Sequence, residues 1–192
     1  DLVRANFLNT VAANQITSPA LAEANLQECL AIAEKVQGPA GDLVAFYKVR
    51  LARLYLGLQR LAEAEAMVRS ALAIQEGRPS PSCFRVSAQE LFAGILQEDG
   101  HYAEAQAILK RLLEEQTNGS AGAYSRSELL GLLAASYIES EHFEHAEDSL
   151  RQAMVLLTHG NGRHQQLLRR HQAKLALVYL HTERYRQAER LL

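Results

Sequence analysis

Histidines, cysteines and paired carboxylates carry most protein chemistry, and they do so only at spacings that let them converge. His142 and His145 stand three residues apart, an interval that puts two imidazoles on one helical face and could offer two ligands to a metal. Glu141 and Glu144 interleave with them, but no further ligand completes a tetrahedral set, and the pair flanks Phe143 at a turn where surface polar residues belong. His159 and His164 fall in a Gly-containing joint and read as solvated loop. Cys29 occupies a small-residue slot on an apolar helical face, where a free thiol packs as a modest hydrophobe. Cys83 follows Pro81 and Ser82 at a helix start, where the dipole could lower its pKa, but no His or Asp stands at a readable partner spacing. Glu114 and Glu115 form an acidic pair of the kind common on solvated helix faces. Glycine-rich phosphate loops, nucleophile elbows and zinc-binding helices are absent from the sequence. These residues predict no enzyme, no metal site and no cofactor.

The elements that hold them are predicted to be helices. Of 192 residues 48% are hydrophobic, with only 4 Pro and 11 Gly; Ala and Leu dominate, and strand-favouring residues are thin. Charged residues make up 22% and the formal net charge is -2, so no global field points to nucleic acid or an anionic membrane. The two cysteines lie too far apart to read as a disulfide framework, which predicts a reducing, cytoplasmic setting. No apolar run approaches the roughly 18 residues of a membrane span. The chain begins at Asp1 and stops at Leu192 in mid-pattern, so a piece of a longer protein is expected.

Laid on itself, the sequence repeats. Leu51-Ala52, Tyr55, Leu61 and Ala64 superpose without gaps on Phe92-Ala93, Leu96, Tyr102 and Ala105. They superpose equally on Leu133-Ala134, Tyr137, Phe143 and Ala146, and on Leu175-Ala176, Tyr179, Tyr185 and Ala188. The last alanines recur at intervals of 41, 41 and 42 residues, and one more step back reaches Ala22. Apolar residues follow each alanine at helical spacing, as in Leu26, Cys29 and Leu30 or Leu150, Ala153 and Met154, so each unit is two helices. The small residue lets the helices cross closely and the aromatic or Leu fills the adjoining groove. Ser18-Pro19 and Ser80-Pro81 place an N-cap before a proline at the first helical position. The first unit departs from the pattern, with Phe7, Leu8 and Val11 about one residue out of phase.

This pattern resembles the tetratricopeptide repeat, and its longer period, against about 34 residues for the common form, is similar to the kinesin-light-chain type. The stretch from Cys29 to Pro39, echoed in part by Ala71-Leu72-Ala73-Ile74, resembles the end of such a unit. The resemblance implies an all-α fold, a right-handed α-α superhelix of about five hairpins. The units fall approximately at 1–38, 39–79, 80–120, 121–162 and 163–192, the last truncated, in a single repeat domain.

It also implies that the first helix of each pair lines a concave face that receives a peptide, a helix or another protein. Carried over by position, that face offers Phe46, Val49, Arg50 and Arg53 in the second unit and Glu90, Gln97 and Glu98 in the third. The fourth supplies Glu128, Leu132 and Ile138, and the fifth Arg170, Lys174, Leu177 and His181. Basic ends bracket an acidic middle, which fits a ligand with acidic ends and a basic or apolar centre. Family members that grip extended peptides present asparagines from these helices. Here Val49, Arg50, Glu90, Leu91, Gly131, Leu132, Ala173 and Lys174 stand instead, which favours a helix or folded surface. A scaffold for protein binding is therefore expected, with neither nucleic acid nor membrane as partner. The alternatives are a regulatory or sensor domain of a larger signalling or transcription-regulating protein, and self-association through terminal hairpins.

Overall fold

The computed structural model describes residues 4–5, 18–76, 83–117, 122–158 and 162–191, and every regular element among them is helical. The helices are α1 (Pro19–Gln37), α2 (Asp42–Gly57), α3 (Leu61–Gln75), α4 (Cys83–Glu98), α5 (Tyr102–Thr117), α6 (Ala123–Glu139), α7 (Phe143–Val155), α8 (Gly162–His181) and α9 (Tyr185–Glu189). The expected out-of-phase helix around Phe7, Leu8 and Val11, the Ser80-Pro81 cap, the Cys83 side chain and His159 lie outside the described residues. Ser18 and Pro19 do open α1, but the Ser18 hydroxyl makes no capping bond, contrary to its expected role.

The turns inside the repeats share one geometry. Gln59, Glu141 and Glu183 each hold φ at 59°, and Gly100 holds 80° at the same repeat position. The following N–H groups, of Arg60, His142 and Arg184, return to the carbonyls of Tyr55, Tyr137 and Tyr179 at 2.9, 2.8 and 2.7 Å. A left-handed residue with this return bond satisfies the orphan carbonyls at the end of a helix and reverses the chain in few residues.

The chain forms two compact units, Asp1–Asp99 and Gly100–Leu192, so the boundary falls inside the third predicted repeat. In the first unit α2 packs on α1, α3 and α4, and α3 also packs on α4. Val44, Tyr47, Leu51, Val68 and Ile95 are its largest fully buried side chains among the described residues, with Ala52 and Ala64 sealed beside them. In the second, α6 packs on α5, α7 and α8, while α8 also meets α7 and α9. Leu109, Leu129, Leu150 and Val178 fill that core around Ala105, Ala134 and Ala146. Each such large side chain contributes about 1.5–3 kcal/mol, and the alanines let the helix axes approach closely enough to bury them.

A polar clamp ties successive hairpins together and is seen in each unit among the described residues. Glu23 of α1 accepts from the Tyr55 hydroxyl at 3.0 Å and from Arg60 at 2.7 Å, while the Arg60 guanidinium lies 4.3 Å from the Tyr55 ring centre. The same three residue types recur 124 positions later: Glu147 accepts from the Tyr179 hydroxyl at 3.1 Å and from Arg184 at 2.5 Å, and Arg184 lies 4.3 Å from the Tyr179 ring centre. Arg151 adds a second cation to Glu147 at 2.7 Å. The Arg60 and Arg184 hydrogen bonds hold the two carboxyls below the usual carboxylate range. At the α5–α6 step of the second unit a chain of hydrogen bonds without a carboxylate takes the clamp's place. Gln106 donates to the Ser140 hydroxyl at 3.1 Å, and His142 Nδ1 lies 3.0 Å from that same oxygen.

Candidate partner-binding surface

The first helices of the repeat pairs, α2, α4, α6 and α8, each bury one face in the core and leave another exposed. In the first unit Phe46 is half-buried against Tyr47 and Phe84, with ring centres 5.3 and 6.0 Å away, so it packs α2 to α4. Val49 is 5% exposed and belongs to the core rather than to any surface. Half-buried Arg50 and exposed Arg53 follow at helical spacing and form no ion pair among the described residues. On α4, Glu90 and Gln97 are half-buried and engaged, while Glu98 is exposed. Leu91 is buried, which removes it from the expected surface.

In the second unit α6 and α8 carry the exposed face. Glu128, Leu132, Ala135 and Ile138 are half-buried on α6 and Glu139 is exposed. On α8, Arg170 and Ala173 are exposed, and Leu177 and Leu180 are exposed to 48% and 47% although both are leucines. His181 lies flat on Phe143, ring centres 5.2 Å apart and planes at 13°. Lys174 is half-buried and donates to the Gly131 carbonyl at 2.9 Å. Burial, and then the charge of Arg170, lower its pKa.

Beneath this face lies a buried polar cluster that the repeat pattern did not reveal. His171 is 1% exposed, with Nε2 3.0 Å from the Ser127 hydroxyl, which itself donates to the Ala153 carbonyl at 3.0 Å. Its Nδ1 is buried without a partner among the described residues. The imidazole fits because position 131 has no side chain: a Cβ there would meet His171 Cε1 at 2.3 Å. Burial first, then Lys174 and Arg170, push the His171 pKa down to about 4, so the ring is neutral near pH 7. The available signal was Gly131 itself, since glycine inside a helix costs up to about 1 kcal/mol and marks a close approach.

The other candidates for chemistry do not converge. His142 and His145 have ring centres 6.2 Å apart beside Tyr137, and no three His, Cys, Asp or Glu residues gather around a metal position among the described residues. Cys29 is a buried thiol donating to the Ala5 carbonyl at 3.2 Å, and desolvation raises its pKa. Tyr55, Tyr137 and Tyr179 pack in the core as their repeat position predicts, but Tyr185 is 63% exposed. No described helix is long and apolar enough to cross a membrane.

Residues 16–77 match the family model for the tetratricopeptide repeat. No curated protein matches the sequence. Among solved structures, the kinesin-light-chain TPR-like repeats of Podosopora anserina share 20% identity at a TM-score of 0.81, over 99% of this chain and 90% of that one. BtubC (BKLC) from P. vanneervenii shares 19% at a TM-score of 0.85, over 100% of this chain and 80% of that one. A Rap protein complexed with competence and sporulation factor shares 17% at a TM-score of 0.81. This chain is covered to 99% in that match and spans 52% of the Rap protein. The likeness is one of fold, and it agrees with the helical repeat of kinesin-light-chain type read from the sequence.

Proposed function

We propose that this tetratricopeptide-repeat chain is a scaffold that binds a helix or segment of another protein on the exposed faces of its first helices. It does so in a reducing, cytoplasmic setting and catalyses no reaction. The observation that carries this reading is the charged and apolar surface on α2, α6 and α8 that the core does not consume, with Arg50, Arg53 and Arg170 forming no ion pair among the described residues. Packing alone does not require arginines there. None of these first helices places an asparagine at the positions carried over from the peptide-gripping relatives, which favours a helical or folded partner over an extended tail. Photo-crosslinking residues at Arg53 and Arg170, with Arg69 and Lys110 on second helices as controls, test the reading in cells that make the protein. Adducts are expected at the first pair, and the adduct at position 53 should be lost when Arg50→Glu is added, for a partner held by the first unit. Adducts confined to Arg69 and Lys110 would refute it.

A second reading is a regulatory repeat domain of a larger protein. It draws on the Rap structure, complexed with competence and sporulation factor and nearly twice as long as this chain. Self-association through terminal hairpins is the third, and light scattering over a concentration series separates it from both.

A further inference from the structure

We infer that the exposed α6–α8 face of the second unit is a seat for one amphipathic helix of another protein. That helix has a leucine-type stripe, basic residues along the edge over α6 and acidic residues along the edge over α8. This rests on the scaffold reading above and adds to it the place and the chemistry of the partner.

Two properties of the face support this occupant. Its middle is apolar: Ala135 and Ile138 on α6 stand at the same repeat positions as Leu177 and Leu180 on α8, and about half of each leucine is open to solvent. Exposed apolar side chains at helical spacing on neighbouring helices are what a helix presenting residues at i, i+3, i+4 and i+7 covers. Its two walls differ in charge: Glu128 and Glu139 stand on α6, and Arg170 stands on α8. Glu128, Glu139 and Arg170 form no ion pair among the described residues, although Glu147 and its arginines pair closely in the same unit. The walls' charges are thus left for a ligand. From Glu128 to Glu139 the wall runs for about 16 Å at 1.5 Å per residue, so the occupant spans about three turns. A helix with unlike edges fits such walls in one direction only. Electrostatic complementarity of this kind selects partner and register more than it adds affinity. An extended peptide would seek backbone partners that this face does not offer, and an apolar membrane surface would meet two charged walls.

The test uses the whole chain and three fluorescein-labelled 16-residue amphipathic peptides with one common leucine stripe. One has a lysine edge and a glutamate edge, one has two lysine edges, and one has two glutamate edges. By fluorescence anisotropy the mixed-edge peptide is expected to bind at least about tenfold tighter than either uniform one. Leu177→Glu should weaken it about tenfold or more by placing a charge on the apolar strip, while Val155→Glu, an exposed apolar position on α7, should not. Glu128→Lys/Glu139→Lys makes both walls basic and should turn the preference toward the two-glutamate peptide. Equal binding of the three peptides, or indifference to Leu177→Glu, overturns the seat, and circular dichroism of each variant guards against misfolding as the cause. If no peptide binds while crosslinks still form at Arg53, the seat falls and the scaffold reading stands. Crosslinks confined to second helices overturn both.

Discussion

A methyl group at position 131 would stand 2.3 Å from His171 Cε1 and 3.0 Å from Nδ1, closer than carbon atoms tolerate. The imidazole is buried and linked to Ser127, so moving aside would strain that hydrogen bond. Gly131→Ala therefore sets two effects against each other. Alanine gains up to about 1 kcal/mol of helix propensity, and overpacking costs about 1–3 kcal/mol. Overpacking wins, and a net loss of about 1–2 kcal/mol is expected, read as a lowered urea midpoint. In a His171→Ala background the obstacle is gone and the sign inverts: Gly131→Ala should then stabilise by up to about 1 kcal/mol. A cycle in which the two substitutions simply add would show that glycine is not there for the imidazole. Apart from the helical glycine itself, this cluster was not legible in the sequence, because the repeat pattern assigns position 131 to the exposed face and is silent about a histidine on a neighbouring helix. The expected surface failed in the same way at Val49, where a residue one step around the helix from Arg50 turns into the core.

At the scale of helices, the repeat was readable because it rests on few requirements: a small residue where helices cross, an aromatic or Leu beside it, and a fixed period. Ala52, Ala93 and Ala134 are wholly buried for that reason. The turns were less readable, since a left-handed residue invites glycine and only Gly100 supplies it, while Gln59, Glu141 and Glu183 adopt φ 59° without that cue. The junction of α6 and α8 adds a dependence on pH. His171 has a folded pKa of about 4, below its ordinary value of 6.5, because it is buried and faces Lys174 and Arg170. Ser127 on α6 offers it a hydroxyl, and among the described residues no carboxylate bonds the ring to stabilise a proton there. Above pH 6.5 the ring is neutral in both states and the stability it permits is fully present. As pH falls from 6.5 toward 4 the unfolded chain gains a proton that the folded one refuses, so stability falls, by roughly 2–3 kcal/mol for a shift of this size. Thermal melts between pH 8 and pH 4 should show this slope in the wild type and lose it in His171→Gln. An identical slope in the variant would assign the effect to other groups.

For the molecule as a whole, each unit has its own buried core and its own glutamate–tyrosine–arginine clamp, so stability is expected to be held locally. In a repeat architecture free energy is approximately a sum of intrinsic repeat terms and nearest-neighbour terms, which makes a defect most costly where it lies. Glu23 and Glu147 are matched probes, since both accept from a tyrosine hydroxyl and an arginine and both are mostly shielded, with 20% and 15% of their side chains exposed. Replacing either by Gln keeps the shape, removes the charge-assisted bonds and should cost about 1–3 kcal/mol. Hydrogen exchange resolves where that cost is felt. Glu23→Gln should lower protection in α1, α2 and α3 and leave α7, α8 and α9 near their wild-type rates, and Glu147→Gln should do the reverse. The low carboxyl pKa values add a condition: the clamps contribute fully above the ordinary carboxylate pKa and fade as acid protonates them below it, so the two variants should converge on the wild type at low pH. Protection lost uniformly along the chain from either substitution would mean that the repeats unfold as one cooperative body, and that a clamp in one unit stabilises the other as much as its own.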